Sequence, residues 1–79
     1  MRVNGIEYNL VVTSANEFEH LSLECTDDQG LILEAELVSY TDKKAKIHFH
    51  KSPLPYELIE AFLYEVKQEL EFGGKKRGP

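Results

Sequence analysis

The sequence predicts a small α+β domain: a four-stranded antiparallel β-meander with one C-terminal α-helix packed on one face. Two observations lead to this prediction. Between residues 6 and 51, apolar and polar residues alternate with the two-residue period of β-strands, and turn residues separate the segments. From Pro55 to Phe72, the apolar residues instead recur at helical spacing. Because a sheet with one apolar face needs a covering layer, we expect the helix to lie across that face.

The chain has the length and composition of one globular domain. Its 79 residues are 42% hydrophobic and 29% charged, which is ordinary for such proteins. We therefore expect a single α+β domain over residues 1–73, followed by a flexible basic tail over residues 74–79. A core of this size contributes limited stability, which favours a partner or a second copy that completes it.

The charges and the single cysteine exclude several classes of protein. The net charge is −5 and most of the chain is acidic, which argues against a general nucleic-acid binder. Because Cys25 is the only cysteine, the chain has no intramolecular disulfide and no zinc site of several thiolates. The sequence has no apolar run of signal-peptide type and none that could span a bilayer, so we expect a cytoplasmic protein without membrane contact.

A short N-terminal hairpin arm is expected before the sheet. Asn4-Gly5 favours a two-residue turn that places Val3 opposite Ile6. The first long strand is then predicted from Ile6 to Val12.

The next two strands are predicted from Glu19 to Cys25 and from Leu31 to Tyr40, on either side of a turn sequence, Asp-Asp-Gln-Gly. We expect a three-residue turn between them, because that length keeps the apolar side chains of both strands on one face. In this register Cys25 lies beside Leu31.

The fourth strand is predicted from Lys44 to Lys51. Its apolar residues Ala45, Ile47 and Phe49 are expected to face the helix. The same parity argument pairs Leu37 with Ile47.

Two acid–histidine matches on the outer face support this register. Glu36 is expected opposite His48 and Glu34 opposite His50, and each pair contributes about 0.2–1 kcal/mol when the imidazole is charged. The two histidines project from the same face, so they are also the weak candidates for metal ligands. Two ligands are too few for a transition metal, so we predict no metal and no other cofactor.

The C-terminal helix is expected to cover the sheet side that holds Leu23, Leu33 and Phe49. Gly73-Gly74 is predicted to end it, because glycine readily takes the left-handed conformation after a last turn. The apolar stripe of this helix consists of Leu58, Ile59, Phe62, Leu63, Val66 and Leu70.

The favoured function is a non-enzymatic protein-interaction module that self-associates, with a homodimer expected. It would bind through the outer sheet face or the helix, because parity leaves apolar and aromatic side chains on both surfaces. The predicted partner-binding residues are Phe18, Ile32, Val38, Tyr40 and Tyr64. We predict no enzymatic activity, since the sequence has no phosphate-binding glycine loop or nucleophile elbow and its carboxylates are expected to be exposed.

Two alternative functions remain open. A basic stripe on and beside the fourth strand suits single-stranded nucleic acid, and its residues are Lys43, Lys44, Lys46 and Lys51. In element order, four strands and then a helix, the chain resembles the single-strand-binding transcriptional coactivator family, which implies the same ligand. The second alternative is a metal-binding protein that uses His48 and His50.

Overall fold

The computed structural model describes residues 1–14 and 21–72, and these residues form the α+β fold that the sequence predicts. Within them, the four longer strands make an antiparallel meander in chain order, and two short strands at the N-terminus make a separate hairpin. The predicted tail and Gly73-Gly74 lie outside the described residues. The elements are β1 (Arg2–Val3), β2 (Ile6–Glu7), β3 (Asn9–Ser14), β4 (Leu21–Asp27), β5 (Gly30–Ser39), β6 (Lys44–Phe49) and α1 (Tyr56–Phe72).

The core lies between α1 and one face of the sheet. Leu58 and Phe62 are fully buried and Val66 is nearly so, because a spacing of four residues keeps them on one side of the helix. Each large apolar side chain buried in this way contributes about 1.5–3 kcal/mol relative to exposure. The buried residues of the two central strands that share this cluster are Leu23, Cys25, Ile32, Leu33, Ala35 and Leu37.

Two residues that were assigned to the core lie at the surface instead. Phe49 is 54% exposed, because it is the last residue of an edge strand and has a neighbouring strand on one side only. Leu63 is 44% exposed, because it lies about 100° around the helix axis from Phe62. The helix therefore covers Leu23 and Leu33, as predicted, but not Phe49.

The N-terminal hairpin forms as predicted, with Val3 paired to Ile6. Asn4 and Gly5 have φ angles of 53° and 82°, and positive values at both positions are what a type I′ turn requires. The long strand expected after this turn is instead divided at Tyr8, which is buried. Residues before Tyr8 pair within the hairpin, and those after it pair with β4.

The pairing of β4 with β5 differs from the prediction. The connecting loop has two residues instead of three, and Cys25 lies opposite Leu33 rather than Leu31. A β-bulge at Ile32 adds one residue to β5. Shortening the loop by one residue would turn the side chains of β5 to the other face, and the extra residue turns them back. The apolar side chains therefore still face the helix.

A second bulge shifts β6 along β5. Leu37 pairs with Ala45 rather than with Ile47, and Val38 is the extra residue without a paired position on β6. The predicted register was thus wrong by two residues in this hairpin, as it was in the one before. A shift of two residues preserves which side of the sheet a side chain faces, so most of the inner and outer assignments were right.

Helix α1 begins directly after Pro55. The Pro55 carbonyl accepts hydrogen bonds from the backbone N–H groups of Leu58 and Ile59, at 3.1 and 3.2 Å. Proline suits this position, because residues at the start of a helix have no intrahelical use for an N–H group.

Candidate functional site

The outer sheet face is polar at its centre. Glu34 of β5 lies between Glu24 of β4 and His48 of β6 in one cross-strand row. The Nε2 atom of His48 lies 2.9 Å from Oε1 of Glu36, and the Nε2 atom of His50 lies 3.1 Å from Oε1 of Glu34. The two predicted acid–histidine pairs therefore form, but diagonally between the strands, because the register is shifted.

The histidines and glutamates of this face contact each other in pairs. Glu24 and Glu34 lie directly opposite each other, which is unfavourable for two carboxylates. The imidazole groups next to them offset that repulsion when they are protonated. In the described part of the chain, no three His, Cys, Asp or Glu side chains are arranged to hold a metal ion. The histidines thus serve as partners of glutamates in this structure.

The residues predicted to bind a partner do not form one surface. Ile32 is 2% exposed, so its predicted outward position was wrong: the bulge turns it into the core. Val38 is 50% exposed near the end of β5, and Tyr40 is half-buried against the core. Tyr64 is 61% exposed on α1, and Phe18 lies outside the described residues.

Lys43 holds the C-terminal end of α1. It lies in the turn between β5 and β6, and its Nζ donates to the carbonyl oxygens of Leu70 and Glu71, at 2.9 and 3.2 Å. The last carbonyl groups of a helix have no intrahelical partner and carry partial negative charge. The ammonium group therefore stabilises this end of the helix and joins it to the sheet.

The remaining lysines of the predicted basic stripe have separate surroundings. The Nζ atom of Lys51 lies 3.0 Å from Oδ2 of Asp27, while Oδ1 of Asp27 accepts a hydrogen bond from the Gln29 amide at 2.8 Å. The Gln29 amide, and then the Lys51 amine, hold the pKa of the Asp27 carboxyl below its ordinary value. Lys44 and Lys46 are exposed on β6. Lys43 and Lys51 therefore make contacts within the chain, and Lys44 and Lys46 are the members of the stripe for which the structure shows exposure on β6.

A groove of about 360 Å³ runs along the C-terminal half of α1 and is open to solvent. Leu63 is exposed at this groove, Leu70 is half-buried, and Val66 is buried. Because these three lie three or four residues apart, they share one flank of the helix. We call this feature the α1 groove, and its lining residues are Lys43, Leu63, Val66, Lys67, Leu70 and Glu71.

The sequence carries one signal for this groove, which is the width of the apolar stripe on the helix. The stripe has six members, and the sheet does not cover all of them. Leu63 is the member left outside. Among the predicted site residues, only Lys43 lines the α1 groove. It does so because the folded chain places the turn that carries it beside the end of the helix.

Cys25 is a core residue and not a nucleophile. Its side chain is fully buried, and burial raises the pKa of the thiol to about 11. A thiol must lose its proton to attack a substrate or bind a metal, so Cys25 is unreactive near neutral pH.

Comparison of the chain with protein-family models, with curated proteins and with solved structures gives no match. The resemblance to the single-strand-binding coactivator family accordingly stays one of element order. No helix within residues 1–14 and 21–72 is long and apolar enough to cross a lipid bilayer.

Proposed function

We propose that this chain is a small non-enzymatic protein-interaction module of the cytoplasm, which binds a partner protein through the α1 groove. The observation that supports the proposal is an open, largely apolar groove with the exposed side chain of Leu63 beside it. Covering such a surface removes apolar carbon from water, which contributes about 25 cal/mol for each Å². The lining offers no buried acid, base or nucleophile for catalysis.

The α1 groove suits a partner better than the outer sheet face does. The centre of that face carries Glu24 and Glu34 with two histidines beside them, and charged groups are costly to bury in an interface core. The α1 groove is instead lined by the apolar side chains of Leu63, Val66 and Leu70. Its charged lining residues, Lys43, Lys67 and Glu71, are exposed, and charged groups that stay in contact with water suit the rim of a protein interface.

The shape and charge of the groove favour an amphipathic helix as the bound segment. Such a helix presents apolar residues at positions i, i+3 or i+4 and i+7, which match a groove that follows one helix flank. Lys43 and Lys67 favour acidic residues beside those anchors, and Glu71 favours one basic residue. The amine of Lys43 is already held by the α1 carbonyl groups, so its position requires little ordering on binding.

A photo-crosslinking amino acid in place of Leu63 identifies the partner in the native host. The purified partner is then titrated against the wild type, Leu63→Glu and Tyr64→Glu, each checked for native circular dichroism. Tyr64 is the adjacent residue, is 61% exposed and is not among the lining residues of the groove, so it provides a matched change of an exposed side chain to an acid. We expect Leu63→Glu to weaken binding about tenfold or more and Tyr64→Glu to change it by less than about threefold. Equal binding by Leu63→Glu and the wild type would exclude the α1 groove as the binding surface.

A further inference from the structure

The two edge strands of the sheet differ in charge. In the order β3-β4-β5-β6, the outer strands are β3 and β6. Strand β6 carries Lys44, Lys46 and His48, whereas β3 (Asn9–Ser14) has no charged residue. Natural proteins protect edge strands with lysine, proline or bulges, because an unprotected edge pairs with other strands. By this criterion β6 is a protected edge and β3 is not.

Strand β3 also exposes apolar side chains at its edge. Val11 is 46% exposed and Val12 is also exposed, on opposite sides of the strand. Among the described residues, no segment other than β4 forms backbone hydrogen bonds with β3. The outward N–H and C=O groups of this strand therefore present the pattern that another extended strand recognises.

We propose that β3 pairs antiparallel with β3 of a second copy of this chain, so that two four-stranded sheets join into one sheet across a twofold axis. The inference deepens the proposed interaction function, but it concerns strand β3, none of whose residues lines the α1 groove. The occupant is a second copy because the strand is complementary to itself. With Val11 opposite Val11, Leu10 lies opposite Val12 on the helix side, and Asn9 lies opposite Thr13 on the outer side.

This register keeps the two faces of the joined sheet consistent. Directly opposed residues in an antiparallel pair point to the same side of the sheet. The inner residues Leu10 and Val12 therefore extend the apolar inner face, and the outer residues stay on the outer face. No charged side chain of β3 is brought against another, because none is present.

The other edge pairings are less favourable. Two β6 strands centred on Lys46 would place that lysine opposite its own copy and Lys44 opposite His48, and like charges directly opposite are destabilising. Pairing of β3 with β6 of the next copy would oppose valines with lysines. It would also leave one free edge on each end and so produce an open-ended chain of molecules instead of a closed dimer.

Sedimentation of the full chain over a concentration series tests the proposal, with Val11→Lys and Val38→Lys as a matched pair. Both valines are about half exposed on the outer side, but only Val11 lies on β3. We expect a monomer–dimer equilibrium whose Kd rises about tenfold or more in Val11→Lys and is unchanged in Val38→Lys. A wild type that stays monomeric up to about 1 mM overturns the proposal, as does a dimer insensitive to Val11→Lys.

Disulfide crosslinking tests the β3–β3 pairing without a substitution that disrupts it. Opposed residues of an antiparallel pair have Cα atoms about 4.5–5.5 Å apart, which is within the range of a disulfide. In a Cys25→Ala background, Val11→Cys should therefore form a covalent dimer under mild oxidation, and Val38→Cys should not. Crosslinking of Val38→Cys as fast as Val11→Cys overturns the proposed pairing. Because Val11→Lys leaves the α1 groove intact and Leu63→Glu leaves β3 intact, failure of the dimer and failure of partner binding are separate results.

Discussion

Truncation of Phe62 tests whether α1 is the structural cover of the sheet. The side chain is fully buried against the inner face, so Phe62→Ala removes most of its apolar contacts and leaves a cavity. Changes of this kind cost about 3–5 kcal/mol. A chain of 79 residues has a total unfolding free energy of about 4–12 kcal/mol. The substitution therefore removes about a quarter of the unfolding free energy at least, and in the least stable case it unfolds the protein.

Urea unfolding followed by far-ultraviolet circular dichroism and tyrosine fluorescence measures this loss, since the chain has four tyrosines and no tryptophan. Phe62→Leu keeps most of the volume and should cost less than about 1.5 kcal/mol. Tyr64→Ala changes an exposed aromatic residue on the same helix and should stay within about 0.5 kcal/mol of the wild type. All proteins are compared at one low concentration, so that self-association does not contribute. A loss below about 1 kcal/mol for Phe62→Ala, or an equal loss for Tyr64→Ala, would refute the packing of α1 on the sheet.

Two further changes test contacts that the tertiary structure supplies. Lys43→Met removes the amine from the helix end and should lower the unfolding free energy by about 0.5–1 kcal/mol at low ionic strength and by less at about 1 M salt. Lys44→Met is the neighbouring control, and an equal loss there would contradict the role of Lys43. Burial raises the pKa of the Cys25 thiol from 9.0 to about 11. Because the unfolded chain loses this proton at a lower pH than the folded chain, the unfolding free energy falls as the pH rises above 9, by about 2 kcal/mol at pH 11. Urea unfolding of the wild type and Cys25→Ala from about pH 8 to pH 11 measures this loss, and the same pH dependence in both proteins would show that the thiol is not responsible.

Element type and order were predictable because their signals are local. The alternation of apolar and polar residues in β4 and β5 reports a strand without reference to any other part of the chain. The same holds for Asn4-Gly5, whose positive φ angles belong to the dipeptide itself. The division of the first strand at Tyr8 was missed, because the residues on both sides of it retain a strand pattern.

Strand register was not predictable from the same pattern. Loop length and bulge position act together, and the pairs Cys25–Leu31 and Cys25–Leu33 give the same inner face. The choice between them depends on how the whole sheet fits against α1. Ile32 shows the consequence, since an outer position in a regular strand became a buried position in a bulge.

The candidate surfaces divide in the same way. The acid–histidine pairs could be found from sequence, because a diagonal pair and a directly opposed pair involve the same residues. The α1 groove could not, because Lys43 reaches the helix end only when the turn between β5 and β6 is placed beside it. The contrast between the two edge strands needed both levels: the charges are in the sequence, but the strand order that makes β3 and β6 the edges is in the fold.

The residue pattern along the chain was enough to predict the long strands, the final helix and most of the residues that face inward, because hydrophobic periodicity is a property of neighbouring residues. Only the folded chain shows the register, the two bulges, the burial of Ile32, the exposure of Phe49 and Leu63, and the contact of Lys43 with α1. These features depend on how the strands are aligned with one another and on how much of the sheet the helix covers. A strand that slides by two residues keeps the same side chains on each face, so the apolar–polar pattern does not report the alignment.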